Sequence, residues 1–138
     1  MTEYEKQAFA LHDKGHNCAQ SVALPFCENF GVDTQTAMRA LEGFGAGMGG
    51  REQTCGALSG AVFIAGLKYS DGNVEAPASK KQTYAVSQAL CEAFVKECGS
   101  AQCAAIKGVM TGKPLKSCAE CIALGVRLVT DMLNEEER

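Results

Sequence analysis

Residues 43–60 read GFGAGMGGREQTCGALSG, in which a glycine-dense segment runs into an apolar one. Thr54 is a favourable N-cap residue, because its side-chain oxygen can accept a hydrogen bond from a free backbone N–H. A helix capped there places Cys55 in its first turn, where free N–H groups and the helix dipole stabilise a thiolate. Gly56 and Gly60 lie on one face of that helix and allow another backbone to approach closely. The stretch therefore predicts a reactive or metal-bound sulfur at a tightly packed helix start.

Helical spacing of apolar residues dominates the rest of the chain, and no convincing period-two strand is present. Capping boxes are predicted at Asn17 with Gln20 and at Ser117 with Glu120. The predicted helices cover residues 2–14, 17–30, 33–44, 55–69, 79–98, 100–107 and 117–133. We expect one all-α domain over residues 1–138, a compact bundle of about five to six helices with the glycine-rich loop before its central helix. The charged tail, 134–138, is expected to fray.

Composition excludes several classes of function. The net charge is −3 and the chain has no Trp, which argues against a nucleic-acid or anionic-membrane partner. The longest apolar run, 58–67, is far short of the roughly 20 residues that span a bilayer. No secretory signal is visible at the N-terminus, so we expect a cytoplasmic protein. In that reducing compartment eight cysteines indicate metal binding or thiol chemistry rather than structural disulfides.

Most of the cysteines fall at predicted helix starts. A predicted cap residue directly precedes Cys18, Cys55 and Cys118. Cys103 lies three residues after Ser100, and Cys121 lies one turn into the last helix. The positive partial charge at helix starts favours anions, such as a thiolate or a thiolate-ligated cluster. By contrast, Cys27, Cys91 and Cys98 lie among apolar positions within or near the ends of helices, and we interpret them as core or interface residues.

The sharpest local motif is C-x-x-C at Cys118 and Cys121. In dithiol exchange Cys118 would attack and Cys121 would resolve the mixed disulfide. The same spacing lets both sulfurs reach one metal ion, although no second C-x-x-C exists to complete a zinc knuckle. A pair formed by Cys18 and Cys55 is a further alternative for thiol chemistry.

The glycine loop also contains a G-x-G-x-x-G match at 45–50, but a helix precedes it and the next helix begins too late for a dinucleotide site. We expect instead that backbone N–H groups near Gly49, Gly50 and Gly56 approach a cofactor. Arg51 is interpreted as a surface residue. His12 and His16 are interpreted as solvated side chains; contact of His16, two residues before Cys18, with the site is the less favoured alternative.

Several segments together carry a family resemblance: NCAQSV at 17–22, the glycine-rich loop leading into CGALSG at 55–60, GSAQC at 99–103, and Cys121 opening the last helix. The chain resembles the C_GCAxxG_C_C family, small proteins described as redox-active. The resemblance implies that the key cysteines are Cys18, Cys55, Cys103 and one of the last pair, where Cys121 fits best and Cys118 could replace or supplement it. The family is also similar to part of the split-Soret cytochromes c, which carry haem and an iron–sulfur cluster. Ile122 follows Cys121, so the C-x-x-C-H motif of covalent haem attachment is missing.

The leading hypothesis is therefore an electron-transfer protein with an iron–sulfur cluster or another soft metal, ligated by Cys18, Cys55, Cys103 and Cys121 with Cys118 as an alternate. The alternatives are a metal-free thiol–disulfide protein and a non-catalytic zinc- or copper-binding module. We expect a redox partner protein or a small-molecule oxidant or reductant. A homodimer that shares a cysteine pair or a metal between subunits is also compatible with the sequence.

Overall fold

The computed structural model describes residues 1–134, so nearly all of the tail predicted to fray lies outside the described residues. The predicted all-α class is confirmed. Residues 1–134 contain an isolated antiparallel bridge between Thr54 and Gln102 but no strand. In the described part of the chain seven right-handed α-helices follow one another: α1 Glu3–Asp13, α2 Cys18–Cys27, α3 Thr34–Leu41, α4 Gly56–Tyr69, α5 Lys80–Cys98, α6 Cys103–Lys107 and α7 Cys118–Asn134.

Two predicted capping boxes fix the starts of α2 and α7. Asn17 Oδ1 accepts from the Gln20 amide at 2.9 Å, and Gln20 Oε1 accepts from the Asn17 amide at 3.0 Å. At α7, Ser117 Oγ accepts from the Glu120 amide at 3.1 Å and Glu120 Oε1 accepts from the Ser117 amide at 3.0 Å. Each box satisfies two otherwise free N–H groups. Cys18 and Cys118 are therefore the first residues of their helices.

The prediction that Thr54 caps α4 is wrong, because the N-cap residue is Cys55. Thr54 is extended and pairs with Gln102 in the isolated bridge. On either side of the bridge, the Cys55 amide donates to the Ala101 carbonyl at 2.7 Å and the Cys103 amide donates to the Gln53 carbonyl at 2.8 Å. This pairing holds the starts of α4 and α6 next to each other.

The start of α6 also differs from the prediction. Gln102 rather than Ser100 is its N-cap residue. Ser100 Oγ instead accepts from the Gln102 amide at 3.0 Å, in a local turn before the helix. Cys103 consequently becomes the first residue of α6, as Cys18 and Cys118 are of theirs.

Glycines bring α2, α4 and α7 into close contact. A Cβ on Gly60 would lie 2.6 Å from the carbonyl oxygen of Ala19, and one on Gly56 would lie 3.2 Å from the Ala19 nitrogen. On α7, a Cβ on Gly125 would lie 3.0 Å from the carbonyl oxygen of Ala57. The predicted packing role of Gly56 and Gly60 is confirmed. Because Gly56, Gly60 and Ala19 lie in the first turns of their helices, the close packing also brings the N-terminal ends of α2 and α4 together.

The glycine-rich loop is tightly folded. Residues 46–49 all have positive φ angles, between 51° and 89°, and the Gly49 amide closes a left-handed turn onto the Gly45 carbonyl at 2.9 Å. A Cβ on Gly45 would lie 2.5 Å from the side chain of Asn17, and one on Gly47 would lie 2.5 Å from Cβ of Cys103. Left-handed backbone is unfavourable for side-chain-bearing residues. Here the conformation lets the loop pack against the starts of both α2 and α6.

The core lies among the long helices, and its largest fully buried side chains include Phe26, Phe94, Leu41, Leu58, Ile64 and Ile122. Within residues 1–134 no helix is both long enough and apolar enough to span a membrane.

Candidate functional site

Four cysteines from four different helices line a single cavity of about 290 Å³; they are Cys18, Cys55, Cys103 and Cys118. Cys55 is the N-cap residue of α4, and each of the other three is the first residue of its helix. Four helix starts therefore meet around the cavity. Their free N–H groups and positive partial charge favour an anionic occupant.

Cys55 is an acidic thiol of the cavity. Its pKa falls from 9.0 to about 6, chiefly because the Cys121 thiol donates a hydrogen bond to its sulfur. The backbone N–H groups of Ala57 and Leu58 also donate to this sulfur, and together these donors outweigh the effect of burial. In the metal-free protein Cys55 is thus a thiolate at neutral pH.

Cys121 lies behind the cavity and is fully buried. Its pKa is raised, first because its proton is held in the hydrogen bond to Cys55 and second because the side chain is buried. Cys98, at the end of α5, is also in hydrogen-bond contact with Cys121, and burial raises its pKa. The predicted core position of Cys98 is confirmed, but its proximity to Cys121 was not foreseen.

Two other cavity thiols, the half-buried Cys18 and the buried Cys103, favour the protonated state. Burial is the main reason that the pKa of Cys18 rises to about 12, with further contributions from Cys118 and Cys55. Burial also raises the pKa of Cys103. A helix start alone does not produce a thiolate, because desolvation of the charged form acts in the opposite direction.

Lys107 is the closest cation to these sulfurs. Its Nζ donates to Sγ of Cys118 at 2.8 Å, and its side chain lines the same cavity. Burial lowers the pKa of Lys107, but the hydrogen bond to Cys118 and the surrounding thiols more than offset that effect and raise it. Lys107 is not among the site residues predicted from the sequence. The available signal was its position four residues after Cys103, on the same helix face.

Arg51 and His12 also line the cavity. Arg51 was interpreted as a surface residue, and although its side chain is exposed it lowers the pKa of Cys103. The histidine at the cavity is His12 rather than His16. Nδ1–H of His16 donates instead to the Leu11 carbonyl at 2.9 Å.

The glycines expected near a cofactor separate into two groups. Gly56 lines the cavity. Gly49 and Gly50 are exposed, and no atom lies within 4 Å of the position that a Cβ would take at either residue. Gly45 and Gly47, earlier in the same loop, are the glycines that pack against the helix starts.

No group of three or more His, Cys, Asp or Glu side chains within residues 1–134 is arranged to hold a single metal ion. The four cavity thiols line a shared space without forming such a group. The chemistry of the lining, four soft sulfur donors with nearby N–H groups and one ammonium, suits a thiolate-ligated group or thiol redox chemistry.

Comparison with known proteins identifies the family. Residues 16–132 match a family model described as "Putative redox-active protein (C_GCAxxG_C_C)". Searches of curated proteins and of solved structures found no match. The matched region contains all the cysteines that line the cavity and Cys121 behind it. The chain therefore belongs to the C_GCAxxG_C_C family of redox-active proteins.

Proposed function

We propose that this redox-active protein transfers electrons through an iron–sulfur cluster held in the cysteine cavity. One observation carries the proposal: thiols from four separate helices, Cys18, Cys55, Cys103 and Cys118, line one cavity of about 290 Å³. Four cysteines are the usual ligand set of both [2Fe–2S] and [4Fe–4S] clusters.

The donor arrangement suits a cluster better than it suits one ion. A single zinc ion requires its ligands to converge at about 2.3 Å from one point. The four sulfurs of a [4Fe–4S] cluster each bind a different iron, and those of a [2Fe–2S] cluster bind two irons in pairs, so in both cases the ligands surround a volume. Within residues 1–134 no side-chain group is arranged for one ion, whereas the four thiols line one cavity.

The protein's own residues would bind the cluster and adjust its environment. A bound cluster supplies one-electron transfer. The N–H groups of Ala57 and Leu58 donate to the sulfur of Cys55, and Lys107 donates to that of Cys118. Hydrogen bonds to ligating sulfurs favour the more negatively charged state and so raise the reduction potential. The electron donor or acceptor would be a redox protein or a small molecule.

The fourth ligand is assigned to Cys118 in this proposal, because Cys118 lines the cavity whereas Cys121 lies behind it. The family resemblance favours Cys121. Serine variants at the two positions separate these assignments. If Cys118 is the ligand, Cys118→Ser lowers iron content strongly and Cys121→Ser, which removes a donor to Cys55, lowers it much less.

Thiol–disulfide exchange is a second candidate, supported by the contact between Cys55 and Cys121. In this reaction the Cys55 thiolate attacks a substrate disulfide, forms a mixed disulfide and releases one substrate thiolate. The Cys121 thiol then loses its proton and attacks Cys55, which forms a Cys55–Cys121 disulfide and releases the second substrate thiolate. Two electrons pass from the protein to the substrate disulfide. This pairing differs from the two that the sequence suggested.

Metal and sulfide analysis of protein purified or reconstituted without oxygen tests the proposal. We expect iron and acid-labile sulfide in equal amounts, with visible absorbance that bleaches on reduction. Zinc or copper without sulfide would support the metal-binding module instead. A metal-free chain that forms a reversible Cys55–Cys121 disulfide would overturn the cluster in favour of thiol exchange.

A further inference from the structure

Lys107 occupies a specific place among the cavity sulfurs. It is the last residue of α6, four residues after Cys103, so both side chains lie on one helix face. Its Nζ reaches across to Sγ of Cys118, the first residue of α7, at 2.8 Å. One ammonium group thus links two of the helices that contribute cavity thiols.

The backbone around Lys107 is firmly held. Gly108 ends α6 with φ +70°, and a Cβ there would lie 2.6 Å from the backbone of Lys113 and Pro114. Ile106 is fully buried, and its carbonyl accepts from the Leu115 amide at 2.8 Å. The backbone that carries Lys107 is therefore held beside the cavity, and the hydrogen bond to Cys118 places its ammonium there before any occupant binds. A charge already in place requires little reorganisation when charge develops next to it.

The ammonium group of Lys107 interacts with cysteine sulfurs and not with carboxylates in the described part of the chain. Among residues 1–134 no carboxylate forms an ion pair with it, whereas it interacts electrostatically with Cys18, Cys55 and Cys103 in addition to Cys118. Arg51 is the other basic side chain besides Lys107 and His12 that lines the cavity, and it is exposed. Solvent screens an exposed charge more than a partly buried one. Lys107 is thus the cation with the strongest influence on an anionic centre in the cavity.

We propose that Lys107 is a positioning residue that holds the Cys118 sulfur at the cavity and raises the reduction potential of the centre bound there. The inference rests on the proposed cluster. A fixed positive charge stabilises the reduced form, which carries one more negative charge, more than it stabilises the oxidised form. Removing the charge therefore lowers the potential.

The test compares Lys107→Met, Lys107→Gln and Lys107→Arg, with Lys113→Met as a matched control at an exposed lysine in the adjoining loop. Each protein is reconstituted with iron and sulfide without oxygen and titrated against mediator dyes. We expect Lys107→Met and Lys107→Gln to decrease the equilibrium constant for reduction at least tenfold, which is about 59 mV for a one-electron couple. Lys107→Arg keeps the charge and should stay close to wild type, as should Lys113→Met.

The outcomes distinguish this inference from the proposed function. If wild type and Lys107→Met contain equal iron and have the same potential, Lys107 has no such role and the cluster assignment stands. If the Met and Gln variants fold, as judged by circular dichroism, but lose iron while the Arg variant keeps it, the positioning role is supported. If wild type itself takes up no iron and sulfide, the proposed function fails and the inference fails with it.

Discussion

The cysteines at helix starts and the cysteines in helix bodies have different surroundings although both groups lie in the same bundle. Cys55 receives hydrogen bonds from two backbone N–H groups and a thiol, and its pKa falls to about 6. Cys27, at the end of α2, donates its thiol to the Ala23 carbonyl at 3.3 Å, and burial raises its pKa. Burial acts on both residues in the same direction. The donors to the Cys55 sulfur, first the Cys121 thiol and then the two N–H groups of the helix start, outweigh burial and make Cys55 the thiolate.

Serine substitutions at helix-start cysteines and at helix-body cysteines should give the largest difference, measured as iron and sulfide content. Cys55→Ser and Cys103→Ser each replace a proposed ligand with a hydroxyl that is a poorer donor for iron, so we expect reconstituted protein to lose most of its iron and sulfide. Cys91→Ser, in the body of α5, should retain the wild-type content. Iron and sulfide assays per folded chain measure this. Equal losses at Cys55 and Cys91 would show that helix position does not define the site.

A glycine pair tests how the loop supports the helix-start group. Gly47→Ala would bring a Cβ to 2.5 Å from Cβ of Cys103 at a φ of +58°, whereas Gly49→Ala has φ +89° and open space around it. We expect overpacking to destabilise Gly47→Ala by about 1–3 kcal/mol more than Gly49→Ala, which has only the left-handed backbone penalty of about 1 kcal/mol. Urea unfolding of the metal-free proteins measures both. Equal losses of unfolding free energy in the two variants would mean that close contact between Gly47 and Cys103 does not contribute to stability.

The pH dependence of alkylation compares Cys55 with Cys91 in the reduced, metal-free protein. Only the thiolate reacts, and Cys55 with a pKa near 6 becomes thiolate as pH rises through that value. The rate at Cys55 should rise about tenfold from pH 5 to 7 and then level off. Burial raises the pKa of Cys91, so its rate should still be rising above pH 9 even though its side chain is more exposed. Mass spectrometry of the alkylated peptides resolves the two sites, and a Cys55 rate that keeps rising above pH 8 would contradict the assigned thiolate.

Local signals in the sequence were sufficient to predict two of the helix starts that carry cavity cysteines and one of the close helix contacts. The capping boxes at Asn17 and Ser117 predicted the starts of α2 and α7 correctly, because a cap depends on residues only three positions apart. The close approach of Gly60 to α2 was also predictable, since spacing along one helix determines its face.

The remaining features depend on contacts between distant parts of the chain. Cys55 became an N-cap because Thr54 pairs with Gln102, a residue 48 positions away. The contact between Lys107 and Cys118 requires the loop between α6 and α7 to turn the two helix ends toward each other. No local pattern specifies either arrangement, since both depend on tertiary packing.

The smallest expected effect tests whether Cys27 is a core residue only. Cys27→Ala removes a fully buried thiol that does not line the cavity, and the remaining space should cost about 1 kcal/mol in the free energy of unfolding. Cys91→Ala, at a half-buried position, should cost less than about 0.5 kcal/mol. Both variants should keep the wild-type iron content, since neither side chain lines the cavity. Urea unfolding with parallel iron assays measures both quantities. A loss of iron in Cys27→Ala without a matching loss of stability would place Cys27 in the functional group and remove the distinction between helix starts and helix bodies.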